Sequence, residues 1–417
     1  MRGKQQTYLG PFITMVILFF VVGFLTTANT QFQGPLKETF LKEAGQMNNT
    51  LATFITFSWF LAYPIAGSVG ARWVAKRGYK KTLVRGMAIM VVGLLLFYLS
   101  SSITVQYPDI ALSLPSGRIP AGYFIFLSGA FITGFSATVL QVVINPYLSA
   151  SNVEGTQAVQ RLAIGGASNS IGTTLAPYFV TVIVFGGAAM SEVSISSLGT
   201  PFISLAVFSM LMLVALRMMN LPDIDSAHAE KGEELPESIW SFRHLALGVA
   251  AIFCYVGAEV CIGANINMYA IEKGLSQPAL LATIYWGGML AGRLAGSTIR
   301  HIAPDVQLTL TTTSSIILLL LAIIFDKPWI LAFVGLFHSI MWGCIFTLAT
   351  SRLGKYTNEA TGVFMIGVVG GAVFPLLQAI VTDVLDGWRL SWILVITCEL
   401  FMLYYARYGS RILKSAE

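Results

Sequence analysis

One carboxylate lies in the middle of a long apolar stretch of this 417-residue chain. Glu259 stands in YVGAEVCIG, and the apolar run around it reaches from about His244 to Tyr269. A carboxylate at bilayer depth is costly unless it is paired, protonated or hydrated. It can take up a proton, or it can ligate Na⁺ together with amide and carbonyl oxygens. The sequence therefore predicts cation binding, H⁺ or Na⁺, at Glu259; the alternative is a hydrogen bond to a substrate or a neighbouring helix.

The other polar side chains deep in apolar stretches are mostly amides and aromatic rings. Amides both donate and accept hydrogen bonds, which suits sugar hydroxyls, and aromatic faces suit the C–H faces of a sugar. Each such residue can equally serve helix packing or an interhelical hydrogen bond. The predicted substrate-binding residues are Asn29, Gln31, Gln141, Asn145, Asn169, Asn265, Asn267, Trp286, His338, Trp342 and Gln378.

The composition places these residues in a polytopic membrane protein. The chain is 55% hydrophobic and 11% charged, whereas soluble domains carry about 25% charged residues. Its net charge of +5 is modest, and its basic residues lie mostly on one side of the predicted membrane. The charge therefore indicates membrane orientation rather than nucleic-acid binding. The four cysteines lie in apolar segments without metal-ligand spacing, and no nucleophile–base set is present. We therefore expect reduced thiols, no metal site apart from a possible Na⁺ near Glu259, no other cofactor and no enzymatic activity.

Twelve apolar segments, numbered span 1 to span 12, are predicted to cross the bilayer as helices. They lie near 10–32, 49–72, 82–103, 120–148, 157–185, 196–218, 244–271, 277–300, 306–326, 328–352, 358–385 and 388–409. The polar stretch NLPDIDSAHAEKGEELPESIWSF separates the first six from the last six. The predicted organisation is an N-terminal six-helix bundle (1–218), a cytoplasmic linker (219–243) and a C-terminal six-helix bundle (244–417).

The basic residues predict the orientation of these spans. With both termini cytoplasmic, all but six of the 25 Lys and Arg residues fall on the cytoplasmic side, as the positive-inside rule requires. Arg161 and Arg293 lie near cytoplasmic span ends, so we expect them to anchor loops to helix termini rather than to bind a substrate. Glu399 lies midway along span 12, a peripheral helix in such an arrangement, and we expect no direct role for it.

The two halves share sequence features. GGASNSIGTTLAPY in span 5 and GVVGGAVFPLLQ in span 11 both combine a glycine-rich face with a following proline. GARWVAKRGYKK after span 2 and GRLAGSTIRHIAP after span 8 are both small-residue helix ends that lead into basic loops. This parallel repeat resembles the major facilitator fold, an all-α architecture of two pseudo-symmetric bundles with the substrate site near the midplane between them.

Six motifs in order resemble the fucose–galactose–glucose:proton symporter family of the major facilitator superfamily, closest to its bacterial glucose/galactose-type members. They are NPYL in span 4, RLAIGGASNSIGTTLAP in span 5, YVGAEVCIG in span 7, GRLAGSTIRHIAP in span 8, FHSIMWGCIFTLAT in span 10 and VVGGAVFPLLQ in span 11. The resemblance extends from about residue 15 to 405. It implies uptake of a sugar with a cation across the bacterial cytoplasmic (inner) membrane.

The chain departs from that family at its coupling acids. The aspartate of the fucose branch in span 1 aligns with Thr30, and the glutamate of span 4 is replaced by Gln141. The family's span-5 asparagine is retained as Asn169, whereas its span-10 asparagine is replaced by His338. Because an amide or a hydroxyl does not carry a coupling proton, Glu259 is the remaining candidate for that role.

The sequence thus favours a secondary active transporter that imports a neutral hexose or related monosaccharide by H⁺ or Na⁺ symport. The alternatives are a proton-coupled efflux antiporter of drugs or metabolites and a membrane sensor. The loop after span 2 lacks the Asp typical of efflux pumps, and no segment is long enough for a sensor's output domain. The expected partners are the sugar and the lipid bilayer, with no nucleic acid, and the protein is expected to be a monomer.

Overall fold

The computed structural model describes residues 9–44, 47–114, 117–151, 153–154, 156, 158–186, 194–221, 238–296, 302–353, 356, 360 and 363–412. Most of the predicted linker, residues 222–237, lies outside this part of the chain. The end at which the chain leaves span 6 and enters span 7 is called the linker side. The opposite end is called the hairpin side.

The first half is built from long helices. Span 1 is Leu9–Gln31, followed by the short helix Gln33–Thr39. Spans 2 and 3 form one assigned helix of 59 residues, Asn48–Gln106, which turns back at Gly78 (φ 76°, ψ 172°), a backbone conformation that favours glycine. Span 4 is Ala121–Ala150, span 5 is Ala158–Tyr178 with a π-helical extension Phe179–Val184, and span 6 is Gly199–Met218, preceded by a 3₁₀ turn, Ile195–Leu198.

The second half repeats this order with more interruptions. Span 7 is Arg243–Glu272, span 8 is Pro278–Gly296 and span 9 is Pro304–Phe325. Span 10 is divided into Pro328–Ala332, Val334–His338 and Met341–Ala349. Span 11 runs from a 3₁₀ turn, Met365–Val369, into Gly370–Leu385, and span 12 from Leu390–Trp392 into Ile393–Arg407. Short 3₁₀ turns are also assigned at Ile239–Ser241 and Gly409–Arg411.

These helices confirm the predicted fold class. Eight described helices are long and apolar enough to cross a membrane, and the 59-residue helix among them contains two spans. The bent pair in span 10 adds another, and spans 5 and 8 are the more polar, glycine-containing crossings. The described residues therefore contain the twelve expected spans. The sequence analysis did not predict the small antiparallel hairpin, Ala111–Leu114 with Gly117–Pro120, between spans 3 and 4.

Span 10 is broken next to a predicted site residue. The segment Pro328–His338 meets the segment Met341–Ala349 at an angle of 42°, across Ser339 and Ile340. A break of this kind releases backbone carbonyls from the helical hydrogen-bond pattern. Here the carbonyl of His338 accepts a hydrogen bond from the hydroxyl of Tyr255 (3.0 Å), and the carbonyl of Ser339 accepts one from Nε of Arg293 (3.4 Å). The break therefore turns two backbone acceptors of span 10 towards spans 7 and 8.

Spans 8 and 10 approach closely because Gly335 has no side chain. A Cβ atom added at Gly335 would collide with the backbone carbonyl of Tyr285, whereas one added at Gly343, on the same span, would meet nothing within 4 Å. We expect Gly335→Ala to lower the free energy of unfolding by about 1–3 kcal/mol, since a collision with backbone forces the helices apart. Thermal unfolding of the purified protein in detergent measures this loss.

Gly343→Ala is the matched control for that measurement. It makes the same chemical change in the same span, so its stability should equal or slightly exceed that of the wild type. Equal melting temperatures for the two variants would contradict a close backbone contact at Gly335.

Candidate functional site

Glu259 lies midway along span 7, and its side chain is 15% exposed. One helical turn earlier, the hydroxyl of Tyr255 donates a hydrogen bond to Oε1 of Glu259 (3.2 Å). The same carboxylate oxygen lies 3.9 Å from Nη2 of Arg293 in span 8. The acid is therefore neither isolated nor tightly ion-paired: it has one hydroxyl donor and a cation at the outer limit of a salt bridge.

Arg293 connects the two halves of the protein. Its Nη1 donates a 2.6 Å hydrogen bond to Oγ of Ser170 in span 5 while Nη2 faces Glu259. The expectation that Arg293 serves as an anchor rather than a substrate ligand stays a prediction; its long side chain reaches from the linker-side end of span 8 towards the centre. Arg161 donates hydrogen bonds to the backbone carbonyls of Leu148 (2.9 Å) and Thr156 (2.8 Å), contacts that suit the anchoring role expected of it.

Behind Glu259 lies a buried group formed by spans 8, 10 and 12. Tyr285 places its hydroxyl 3.2 Å from the backbone carbonyl of Glu259 and 2.8 Å from Nδ1 of His338. Nε2 of His338 lies 2.6 Å from Oε1 of Glu399, and both side chains are fully buried. His338, predicted to contact substrate, thus has both ring nitrogens engaged by protein groups, and its predicted role remains a prediction.

The N-terminal half contributes amides and a tyrosine. Nε2 of Gln141 donates to the hydroxyl of Tyr63 (3.0 Å), whose ring stacks on Phe60 at 5.5 Å. Asn169 donates to the carbonyl of Phe19 (3.0 Å), which ties span 5 to span 1. Asn145 is partly exposed, as are Gln141 and Asn169. Tyr63 was missed by the sequence analysis, although it is a tyrosine next to Pro64 inside an apolar span.

A second group of amides lies nearer the hairpin side. Gln31 donates to the carbonyl of Gly263 (3.0 Å), and Asn267 donates to Oε1 of Gln31, so span 1 is joined to span 7 across the two halves. Asn29 donates to the carbonyl of Ile55 in span 2 (3.4 Å). These three amides are buried.

Two further predicted residues bind one another within the second half. Asn265 donates to Oε1 of Gln378 (2.9 Å), and Gln378 donates to Oγ of Ser391 (3.4 Å). Both amides are fully buried, which places them among helix-packing contacts of spans 7, 11 and 12.

The two halves are joined on the hairpin side by an acid that the sequence analysis did not single out. Asp383, near the end of span 11, accepts hydrogen bonds from the backbone N–H (3.3 Å) and side-chain amide (2.8 Å) of Asn49 and from the backbone N–H (2.8 Å) and hydroxyl (2.5 Å) of Thr50. These groups form the N-terminus of span 2, where free amides and the helix dipole attract an anion. Asp383 therefore caps a helix of the opposite half.

Two aromatic residues complete the predicted set. Trp342 is partly exposed and packs edge-on against Tyr255, with ring centroids 6.3 Å apart. It lines a cavity of about 430 Å³ that opens on the linker side between spans 8, 9 and 10, together with Arg293. Trp286 is buried against Gly263, and its indole N–H has no hydrogen-bond partner.

The predicted residues therefore lie in separate regions. Glu259, Trp342 and the N-terminal amides Gln141, Asn145 and Asn169 are partly exposed. Gln31, Asn267 and Trp286 are buried where span 1 meets span 7, Asn29 is buried within the first half, and Asn265, Gln378 and His338 are buried within the second half. Among the described residues, no group of three or more His, Cys, Asp or Glu is arranged to hold a metal ion.

Comparison with known proteins identifies the family. The Major Facilitator Superfamily model matches residues 19–375. A glucose/galactose transporter of Brucella abortus is 30% identical over 420 residues, covering 98% of this chain and 96% of the relative. The L-fucose-proton symporter of Escherichia coli K12 is 21% identical over 444 residues, with 98% and 95% covered.

Solved structures share the fold. The crystal structure of the E. coli fucose:proton symporter superposes with a TM-score of 0.66 at 20% identity, covering 97% of this chain and 99% of that one. The crystal structure of a D-xylose-proton symporter gives 0.70 at 14% identity, covering 99% and 100%. The resemblance to the fucose–galactose–glucose:proton symporter family is thereby confirmed, and the chain belongs to the major facilitator superfamily of membrane transporters.

Proposed function

We propose that this protein imports a neutral hexose or related monosaccharide together with a proton, by alternating access, across the bacterial cytoplasmic membrane. The observation that carries the proposal is the linkage at mid-depth in which Glu259 faces Arg293 and Arg293 binds Ser170 of the opposite half. A titratable acid is thus connected to a contact between the halves. The names of the relatives, a glucose/galactose transporter and a fucose:proton symporter, support the sugar and the symport.

The chemistry of the site favours a neutral polyhydroxy substrate. The partly exposed residues supply amides on one half and an aromatic face, Trp342, on the other. Among the described residues, Oδ1 of Asn29, Oδ1 of Asn267 and the indole N–H of Trp286 are buried without a hydrogen-bond partner. Buried polar atoms are costly when unpaired, and hydroxyls that donate and accept are suitable partners for all three.

The surroundings of Glu259 favour H⁺ over Na⁺ as the coupling ion. The guanidinium of Arg293 lies 3.9 Å from the carboxylate, so a sodium ion bound there would be repelled by a fixed positive charge. A proton neutralises the carboxylate without adding a second cation. Neutralisation weakens the attraction between Glu259 and Arg293, and this is how proton binding would act on the contact between Arg293 and Ser170.

Contacts between the two halves are in place on the hairpin side, through Asp383, Asn49 and Thr50. An alternating-access importer must break these contacts when it opens on that side.

A sugar panel tests the proposed substrate class. A ligand that binds the folded protein raises its melting temperature, by an amount that corresponds to about 2.7 kcal/mol when the ligand is at 100 times its Kd. We expect stabilisation by one or more neutral hexoses at unchanged Na⁺ concentration. Stabilisation only by charged or large apolar compounds would overturn the proposal and favour the efflux alternative, and stabilisation that requires Na⁺ would replace the proton by Na⁺.

Gln141→Ala tests the substrate site of the N-terminal half. We expect the Kd for the stabilising sugar to rise about tenfold, because one neutral hydrogen bond and the position of Tyr63 are lost, together about 1–1.5 kcal/mol. Isothermal titration on the purified protein gives this value. Gln106→Ala, an exposed amide at the end of span 3, is the control, and an equal Kd for both variants would remove Gln141 from the site.

A further inference from the structure

A second buried acid lies in the C-terminal half and has no part in the coupling described above. The carboxyl group of Glu399 lies 2.6 Å from Nε2 of His338, and neither side chain is exposed. The other carboxyl oxygen of Glu399, Oε2, is buried without a hydrogen-bond partner. The protonation of this pair can be deduced from the hydrogen bonds around it.

The other ring nitrogen of His338, Nδ1, lies beside the hydroxyl of Tyr285. The hydroxyl of Tyr285 lies 2.8 Å from Nδ1 and 3.2 Å from the backbone carbonyl of Glu259. The hydroxyl has one hydrogen, and the carbonyl can only accept. When Tyr285 donates to the carbonyl, both contacts are satisfied only if Nδ1 carries a hydrogen and donates to the hydroxyl oxygen. The short contact between Nε2 and Oε1 must then contain one further proton, on either atom, and the pair as a whole is neutral.

The other arrangement leaves either a bare charge or an unpaired donor in the interior. If Tyr285 donates to Nδ1, then His338 is neutral with its hydrogen on Nε2, and Glu399 is either an ionised carboxylate or an acid whose hydrogen lies on Oε2, where the described residues offer no hydrogen-bond partner. An uncompensated buried charge costs several kcal/mol. The nearest guanidinium, Arg293, already faces Glu259 and Ser170.

The other ionisable groups that face the pair do not supply a counter-charge. Span 9, which packs against spans 10 and 12, contains one ionisable residue, Asp305, at its linker-side end. The other ionisable groups near the pair, among the described residues, are hydroxyl, thiol or carboxyl groups, none of which carries a positive charge. They are Tyr255, Glu259, Cys254 and Cys261 from span 7, Tyr285 from span 8 and Cys398 from span 12. The arrangement with one shared proton is therefore favoured.

We propose that His338 and Glu399 share one proton and form a second protonation site, distinct from Glu259, that must stay neutral for Glu259 to work as the coupling acid. Tyr255 links the two sites, since its hydroxyl lies 3.2 Å from Oε1 of Glu259 and 3.0 Å from the carbonyl of His338. Loss of the shared proton adds a negative charge to a pair that Tyr255 and Tyr285 connect to Glu259. The effect on transport rests on the proposed function, whereas the shared proton does not depend on it.

The pH profile of sugar counterflow in proteoliposomes tests the effect on transport. Counterflow needs no proton gradient, so the pH can be varied equally on both sides. The wild-type rate is expected to fall about tenfold as the pH is raised by about one unit past the midpoint for loss of the shared proton. Glu399→Gln keeps a neutral hydrogen-bonding side chain beside His338, so its counterflow should decline at a different pH, the one at which Glu259 loses its own proton. Glu43→Gln, an exposed carboxyl in the loop after span 1, should retain the alkaline decline of the wild type.

Thermal unfolding tests the shared proton without any sugar. Raising the pH until the proton is lost leaves a buried negative charge, so the wild type and Glu43→Gln should lose melting temperature at alkaline pH and Glu399→Gln should lose less. If no sugar supports counterflow but the unfolding curves separate as expected, the proposed function fails and the proton-sharing pair stands. If Glu399→Gln follows the wild type in both measurements, the pair does not share a proton.

His338→Gln provides a second variant if Glu399→Gln does not fold. Its amide can still hydrogen-bond to Tyr285 and Glu399, but it cannot share a proton as an imidazole does. The alkaline decline in counterflow and in melting temperature should therefore move to a different pH. A decline at the wild-type pH would overturn the proposal.

Discussion

Glu259→Gln is expected to abolish gradient-driven sugar accumulation while sugar counterflow continues. A membrane potential of about 100 mV supplies about 2.3 kcal/mol per proton, which can sustain roughly 50-fold accumulation when one proton accompanies each sugar. The glutamine side chain has a similar size and can still accept the hydrogen bond from Tyr255, but it carries no proton. The internal sugar concentration should then rise only to the external one. Radiolabelled uptake in proteoliposomes with an imposed potential measures both values.

The control and the ion test use the same vesicles. Glu154→Gln, an exposed carboxyl between spans 4 and 5, should accumulate sugar like the wild type. Full accumulation by Glu259→Gln would show that another group carries the coupling cation. Replacing the imposed potential by a Na⁺ gradient should stop accumulation in the wild type, and continued accumulation would identify Na⁺ as the ion.

Asp383→Asn is expected to open the hairpin side. In the closed arrangement the carboxylate accepts four hydrogen bonds from Asn49 and Thr50 at the N-terminus of span 2. Hydrogen bonds to a charged group contribute about 1.5–3 kcal/mol each, and an asparagine turns its amide donors towards some of the same N–H groups. A net loss of about 1.5–3 kcal/mol would shift the ratio of open to closed hairpin side by roughly 10- to 100-fold.

Spin-label distances measure that shift. Labels on cysteines introduced at Lys42 and Gln277, both exposed on the hairpin side of opposite halves, should report a longer distance in Asp383→Asn than in the parent with native cysteines replaced. Asp386→Asn is the matched control, since Asp386 is exposed one turn further along the chain, in a left-handed backbone conformation that asparagine also adopts. An unchanged distance distribution in Asp383→Asn would show that other contacts hold this side closed.

Asp383 and Glu259 act on opposite parts of the interface between the halves. Asp383 joins span 11 to span 2 on the hairpin side, and Glu259 faces the Arg293 that joins span 8 to span 5 nearer the linker side. In an alternating-access cycle these contacts must break and form in turn. The two variants should therefore have different effects. Glu259→Gln abolishes gradient-driven accumulation of sugar, whereas Asp383→Asn changes which side of the protein is open.

The twelve spans, the two halves and the family were predictable from the sequence, because each depends on local composition or on short motifs. A helix of about 20 apolar residues is dictated by the bilayer, whatever its neighbours are. Glu259 was identified for the same reason, since a lone acid in such a helix is unfavourable without a function or a partner.

The partners of that acid were not predictable. Arg293 lies near the end of its span, and only the length and direction of its side chain bring it to Glu259 and Ser170. Asp383 resembles an ordinary acid at a helix end until the packing of spans 2 and 11 places it over the N-terminus of span 2. The break in span 10 was equally hidden, because its sequence is continuously apolar.

Sequence alone therefore determined that this chain is a two-fold repeated membrane transporter with acids midway along spans 7 and 12 and an amide-rich, aromatic interior. The tertiary structure decided which of those polar residues face each other. It placed Arg293 beside Glu259, buried His338 against Glu399 and set Asp383 on the opposite half. The physical reason is that hydropathy acts along one helix, whereas hydrogen bonds and ion pairs between helices depend on rotation, depth and breaks that arise only when the helices pack together.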